Sequence, residues 1–398
     1  MSAPRWLAEA DERMARAAWS RLAEPGDLDA VRFVAAHGAL AALSAVYSSD
    51  AAVTVIDRPS RGGQVGKAVV ASRWRVRAGD TDPRQDLTRL ARFSGRVVIP
   101  GDAEWPPGLD DLQDRAPFCL WARGPASLTS AMDSSVSLVG ARAATWYGER
   151  VTSEIAVGCA AAAVTVVSGA AYGIDATAHR AVLQADGLTL AVLACGVDRG
   201  YPRGNERLIE TIAHEGALVS EVPPGCAPSR WRFLERNRLI AALTRGTVVV
   251  EAAWRSGAQG TARHALELGR QVGAVPGPVT SSMSAGCHRL LRQGATCVTD
   301  AAEVIELVSP LGAKSSVQPE LFGAGGESPA PGASTSVHDG LSPAEIRILD
   351  AIPLRSPATV EAISRIAGLP PAQVLAGLGR LEARRLADYQ GGRWCRCR

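Results

Sequence analysis

Leu138-Val139-Gly140-Ala141-Arg142 and Val167-Ser168-Gly169-Ala170-Ala171-Tyr172-Gly173-Ile174-Asp175 are two apolar runs that each end in a small-residue loop and lead into a segment of helical spacing. Runs of the same kind recur at 136–139, 165–167, 189–193, 217–220, 247–250, 272–275 and 296–298. Parallel strands buried on both faces read as unbroken apolar runs, and the crossover between them is usually a helix. The alternation therefore predicts an α/β fold, a doubly wound, Rossmann-like parallel sheet. Ligands of such sheets sit beyond the carboxyl ends of the strands, where these loops fall.

A third stretch, Ser229-Arg230-Trp231-Arg232-Phe233-Leu234-Glu235-Arg236-Asn237-Arg238, sets four arginines and two aromatics against one acid and reads as a loop after the fourth strand. Guanidiniums interleaved with rings suit single-stranded nucleic acid, whose phosphates need cations and whose unpaired bases need a flat face. In the first loop, Gly140 lets a phosphate approach, the following helix offers free N–H groups and Arg142 adds a fork of donors. Ser168, Gly169 and Gly173 repeat that arrangement, with Asp175 able to cap the next helix, on which His179 is expected to pack. Arg203 sits in the loop after the third strand. The candidate DNA-binding set is thus Gly140, Arg142, Ser168, Gly169, Gly173, Arg203, Arg230, Phe233, Arg236 and Asn237. The competing reading of the arginine-rich stretch is a half-buried loop laced by salt bridges.

Composition sets the outer bounds. The 398 residues are 46% hydrophobic and carry a net charge of only +3, so an acidic partner must be held by local clusters rather than a global field. Lys67 and Lys314 are the only lysines. A GC-rich genome accounts for most of that arginine preference, so position carries the argument. The eight cysteines show no zinc spacing and read as free thiols. No metal or cofactor is expected. Neither a signal peptide nor an apolar run of about 18 residues is present, which makes the cytoplasm the expected location, away from any membrane.

Four parts are expected. Residues 1–85 read as a helical N-terminal domain, with helices over 8–22 and 28–46. Residues 86–307 form the Rossmann-like core, preceded by two short strands and a Pro-rich turn between 92 and 124 that pack on the sheet edge. Residues 308–340, rich in Ser, Pro, Gly and Ala, read as a flexible tether. Residues 341–398 carry nine arginines against five acids, and their three helices and glycine-turned hairpin read as a winged helix. Its third helix offers only Gln373 and Arg380 for reading base edges.

Val139-Gly140-Ala141-Arg142, Ser168 to Asp175, Phe233-Leu234-Glu235-Arg236-Asn237-Arg238-Leu239-Ile240-Ala241, Val275-Pro276-Gly277 and Ser284-Ala285-Gly286-Cys287-His288 together resemble the DNA-processing protein A family, DprA or Smf. The resemblance covers 95–305. It implies a non-enzymatic homodimer that binds and shields single-stranded DNA and loads RecA during natural transformation. It also implies that Arg142 is a phosphate-binding arginine, Arg230 a basic contact and Phe233 a base-stacking ring. Leu234, Ala141 and Ala258 depart from the family's usual proline, serine or threonine, and serine.

Two rivals remain. Gly257-Ala258-Gln259-Gly260-Thr261 faintly resembles the motif of the lysine-decarboxylase-like (LOG) phosphoribohydrolases, but His264 stands where their catalytic glutamate belongs. A winged-helix transcriptional regulator would prefer duplex of defined sequence. The loop Gly140-Ala141-Arg142-Ala143-Ala144-Thr145 lacks the glycines of a dinucleotide fingerprint.

Overall fold

The computed structural model describes residues 3–48, 71–309, 341–353 and 357–396. The chain opens with a 3-10 turn, Arg5–Glu9, followed by α1 (Glu12–Leu22), α2 (Leu28–His37), α3 (Ala39–Tyr47), α4 (Ala71–Ala78) and α5 (Pro83–Ala91). Asp11 and Asp27 cap α1 and α2, accepting from the Met14 and Ala30 amides. The stretch expected as one helix over 28–46 breaks at Gly38, where φ is +79°, and the two halves meet at 111°. A side chain would strain that backbone. The bend closes the helices on an aromatic core: Trp19 stacks on Phe118 at 5.7 Å and meets Trp74 edge-on at 5.0 Å. Phe118 comes from the segment that leads into the second strand of the central sheet, so the helices are packed on the core. The loop read at Arg61-Gly62-Gly63 lies outside the described residues.

The central sheet contains β1 (Arg96–Val98), β2 (Leu120–Arg123), β3 (Ser135–Val139), β4 (Thr165–Ser168), β5 (Thr189–Val192), β6 (Ala217–Ser220), β7 (Gly246–Val249), β8 (Gln271–Ala274) and β9 (Thr296–Cys297). All seven expected strands are present, and β3 to β9 pair in parallel in the order β6-β5-β4-β3-β7-β8-β9. The expected lead-in is also there: β1 and β2 add antiparallel to β6 at one edge. Between the strands run α6 (Leu128–Met132), α7 (Trp146–Ala161), α8 (Ile174–Gln184), α9 (Glu206–Glu215), α10 (Arg230–Leu243), α11 (Ala258–Glu267), α12 (Ala285–Arg292) and α13 (Ala301–Val308).

Alternate residues of β3 face opposite layers, as a pleated strand requires. Val136 and Leu138 pack with Ile155 of α7 and Ile174 of α8, while Val139 packs with Leu239 and Ile240 of α10. Because β4 and β7 flank β3, the chain winds one way from β3 to β6 and the other way from β7 to β9. The loops after β3 and β7 therefore part and leave a crevice at the switch point.

The stretch expected as a tether lies, over 310–340, outside the described residues; after it come α14 (Pro343–Ala351), α15 (Val360–Ala367), α16 (Pro371–Ala383) and the hairpin β10 (Ala387–Gln390) and β11 (Arg393–Arg396). Ser342 and Glu345 form a capping box at α14. Ala358 bridges Trp394, giving the hairpin a third short partner. This unit rests on the rest of the protein through polar contacts. Arg77 donates to the carbonyls of Arg365 at 3.1 Å and Ile366 at 2.6 Å, and Asp350 accepts from the Arg230 amide at 2.9 Å. No single helix among the described residues is long and apolar enough to cross a membrane.

Candidate nucleic-acid interface

The crevice is a cleft of about 600 Å³, walled by the loop after β3, the first turns of α10 and the segment between β7 and α11. Gly140, Arg142, Arg230, Phe233, Arg236 and Asn237 of the predicted set line it, together with Tyr201. Ser229-Arg238 forms the start of a helix, not a loop. Ser229 caps it by accepting from the Arg232 amide at 3.2 Å, and Leu239 and Ile240 bury its inner face.

That helix sorts its arginines by turn. Arg232 points away from the cleft into Glu24, with Nε and Nη2 donating at 3.0 and 2.8 Å. Arg238 is paired with Glu221, and the Trp231 indole donates to the Pro25 carbonyl at 3.0 Å. Those three residues are structural. What the helix leaves toward the cleft is Arg230, Phe233, Arg236 and Asn237. Asn237 is steadied by donating to the Gly257 carbonyl at 3.3 Å.

Phe233 is the centre of the arrangement. The Arg142 guanidinium lies 4.9 Å from its ring centroid, Arg236 lies at 5.7 Å, and the Tyr201 ring is 5.8 Å away. Arg142 is exposed, whereas Arg236 is only 5% exposed and donates from Nη1 to the Val192 carbonyl at 3.0 Å. Its Nε is buried without an acceptor. Burial pushes the Arg236 guanidinium down to about 10; Asp175 counters this and Arg142 adds to it. Even so it is cationic at neutral pH, a buried charge with a donor to spare beside an open cleft.

The glycines serve packing more than phosphate approach. A Cβ on Gly169 would lie 1.3 Å from Arg236 Nη1, so only glycine lets the guanidinium in. Gly173 has φ +73° and sits where a Cβ would be 2.3 Å from the Ala141 carbonyl oxygen, which locks the two loops together. At Gly140 a Cβ would meet Ile174 at 2.5 Å. Gly169→Ala should therefore expel Arg236 from its seat. A lower thermal midpoint together with weaker oligonucleotide binding is the expected result, and a variant indistinguishable from wild type in both measurements would refute this seat.

Two expectations about the loops are corrected. Free N–H groups in both loops were expected to cradle phosphates, but a protein carboxylate already engages one backbone amide at each. Glu251, at the end of β7, accepts from the Thr145 amide at 2.9 Å and its hydroxyl at 2.6 Å at the start of α7. Asp175 does not cap α8; it turns back to accept from the Gly169 amide at 3.2 Å. Burial raises the Asp175 carboxyl, opposed by Arg236 and by the Ala171 and Gly169 amides.

Ser168 is also out of reach, fully buried with its hydroxyl donating to the Leu138 carbonyl at 2.6 Å. Arg203 is exposed on the neighbouring loop and does not line the cleft. His179 packs as expected: it is buried against Thr189 at 2.7 Å, and burial pushes its imidazole down to about 3. Glu24, Glu221, Glu251 and Asp350 are the participants that sequence reasoning missed. The acid directly after the apolar run of β7 was the one local signal.

The DNA recombination-mediator protein A family matches residues 96–309. A DNA processing protein DprA of Mycobacterium tuberculosis is 46% identical over 89% of this chain and 90% of its own length. The DNA processing protein DprA of Streptococcus pneumoniae is 39% identical over 50% of this chain and 70% of its own. The solved structure of DNA processing protein A from Streptococcus pneumoniae covers 62% of this chain and 84% of its own, with a TM-score of 0.55 at 34% identity. With a family match over more than half of its length and a relative 46% identical along nearly all of it, this chain belongs to the DNA recombination-mediator protein A family.

Proposed function

We propose that this protein binds single-stranded DNA in the rim cleft, shields it and, as a homodimer in the cytoplasm, delivers it to a RecA-type recombinase during DNA uptake. The observation that carries the reading is the Phe233 ring with the guanidiniums of Arg142 and Arg236 both within about 6 Å of it. A base can stack on that ring while its flanking phosphates take the cations. In a duplex the base faces are hidden by their neighbours, so the same cleft favours a single strand.

We read the protein as a binder and not an enzyme. The rim acids Glu251 and Asp175 accept hydrogen bonds from the protein's own amides, which leaves them poorly placed as general acids or bases. His264, where a phosphoribohydrolase would carry its glutamate, is buried with Nδ1 3.2 Å from Glu267. The C-terminal unit reads as a winged helix suited to docking more than base reading. Arg380 of α16 donates to Glu345 at 2.8 Å, so Gln373 is left at the helix's amino end.

The test is anisotropy of labelled single-stranded and duplex oligomers of equal length across a salt series. Three cleft guanidiniums neutralising phosphates predict a log–log salt slope of roughly −2 on single strands. A flat response, or equal affinity for duplex, would overturn the reading. Sedimentation for the dimer and the rate of recombinase filament formation on coated DNA test the two remaining parts.

A further inference from the structure

Trp146, the first residue of α7, is 69% exposed, the most open aromatic among the described residues. A tryptophan is seldom left so bare without a purpose, since burying its ring is worth more than any other side chain's. The Arg150 guanidinium lies 5.5 Å from its ring centroid. Beside it a groove of about 290 Å³ runs between α7 and α8, with Arg180 and Thr177 on the far wall and Glu149 on the near one. Arg150 is already engaged, donating from Nε to Glu154 at 2.8 Å, so Arg180 is the guanidinium that the groove holds out to an anion. Arg180 is exposed and has no ion pair among the described residues.

Position links this groove to the cleft. α7 and α8 both start on the rim, directly after the loops that carry Arg142 and Gly173, and those loops are locked together at Gly173. From Phe233, the path along the rim passes Arg142 and reaches Trp146 four residues later. The ring-and-guanidinium pairing of the cleft is thus repeated a short way along the same edge.

We propose that a single strand seated in the cleft continues over Trp146, which stacks a further base while Arg180 across the groove takes the adjoining phosphate. The proposal rests on the reading that the cleft itself holds single-stranded DNA. Trp146 then sets how affinity grows with strand length, whereas Phe233 sets the affinity of the shortest strand bound.

The test uses the full chain and thymidine oligomers of increasing length. Trp146→Ala is expected to match wild type on the shortest oligomer bound and to lose about five- to a hundredfold on long ones, with Trp146→Phe retaining most of the affinity. Oligomer should also quench tryptophan emission less in Trp146→Phe than in wild type. If Phe233→Ala weakens binding but Trp146→Ala follows wild type at every length, the cleft stands and the second platform falls. A loss of equal size at every length would also overturn it, because Trp146 would then belong to the primary site. Wild-type behaviour of Phe233→Ala at every length would instead remove the cleft reading on which the proposal rests.

Discussion

Glu24→Ala is expected to lower the unfolding free energy by about 3–5 kcal/mol, the loss that follows removal of one partner from a buried ionic cluster. Glu24 is 7% exposed and accepts from Arg77 at 2.5 Å and from Arg232 at 2.8 Å, so its removal strands two guanidiniums. Arg77 in turn carries the contact to the C-terminal unit, and Arg232 lies one turn from the cleft. Burial works to raise the Glu24 carboxyl, but Arg232 and Arg77 overcome it and hold it well below the ordinary carboxylate range. A depressed folded-state pKa means the contribution is fully present above the unfolded value near 4.5 and is lost as pH falls below it. Denaturant titrations at neutral and acidic pH measure both statements. A cost under about 1 kcal/mol, or a variant whose deficit persists unchanged in acid, would show that the cluster is not a structural centre.

Phe233→Ala is expected to cost about 1–3 kcal/mol of single-strand binding, roughly five- to a hundredfold in affinity, at unchanged fold. Arg142→Ala should weaken binding as well, and the double variant should lose less than the sum of the two. The guanidinium sits 4.9 Å from the ring, so removal of either group alters the other's setting. Phe233→Tyr should keep most of the affinity. Circular dichroism checks that the variants are folded. Wild-type affinity in both single variants would move the site away from this rim.

The strands from β3 to β8 were legible because they are buried almost throughout and joined by helices, a condition that imprints directly on the residues. The start of α10 was not. Its arginines looked like charge meant for solvent or DNA, yet Arg232 answers Glu24, 208 residues away, and Arg238 answers Glu221. A pairing over that distance leaves no local trace. The same holds for the loops: nothing near Thr145 announces that Glu251, 106 residues later, will occupy its amide. Arg142, Phe233 and Arg236 do come together on one cleft, because the loop after β3 and the start of α10 both end on the same rim. Ser168 was misread because a hydroxyl at the end of a buried strand serves its neighbour's carbonyl as readily as a ligand.

Glu251 and Asp175 have a consequence for the protein among the crowded metabolites of a cell. Helix starts and glycine loops on sheets of this kind ordinarily grip the di- and triphosphate tails of nucleotides. Here the Thr145 and Gly169 amides are each taken by a carboxylate of the chain itself, and that carboxylate would repel a phosphate tail. If the cleft holds single-stranded DNA as proposed, a free nucleoside triphosphate would find those two amides occupied and could compete with the strand only for the cleft's guanidiniums.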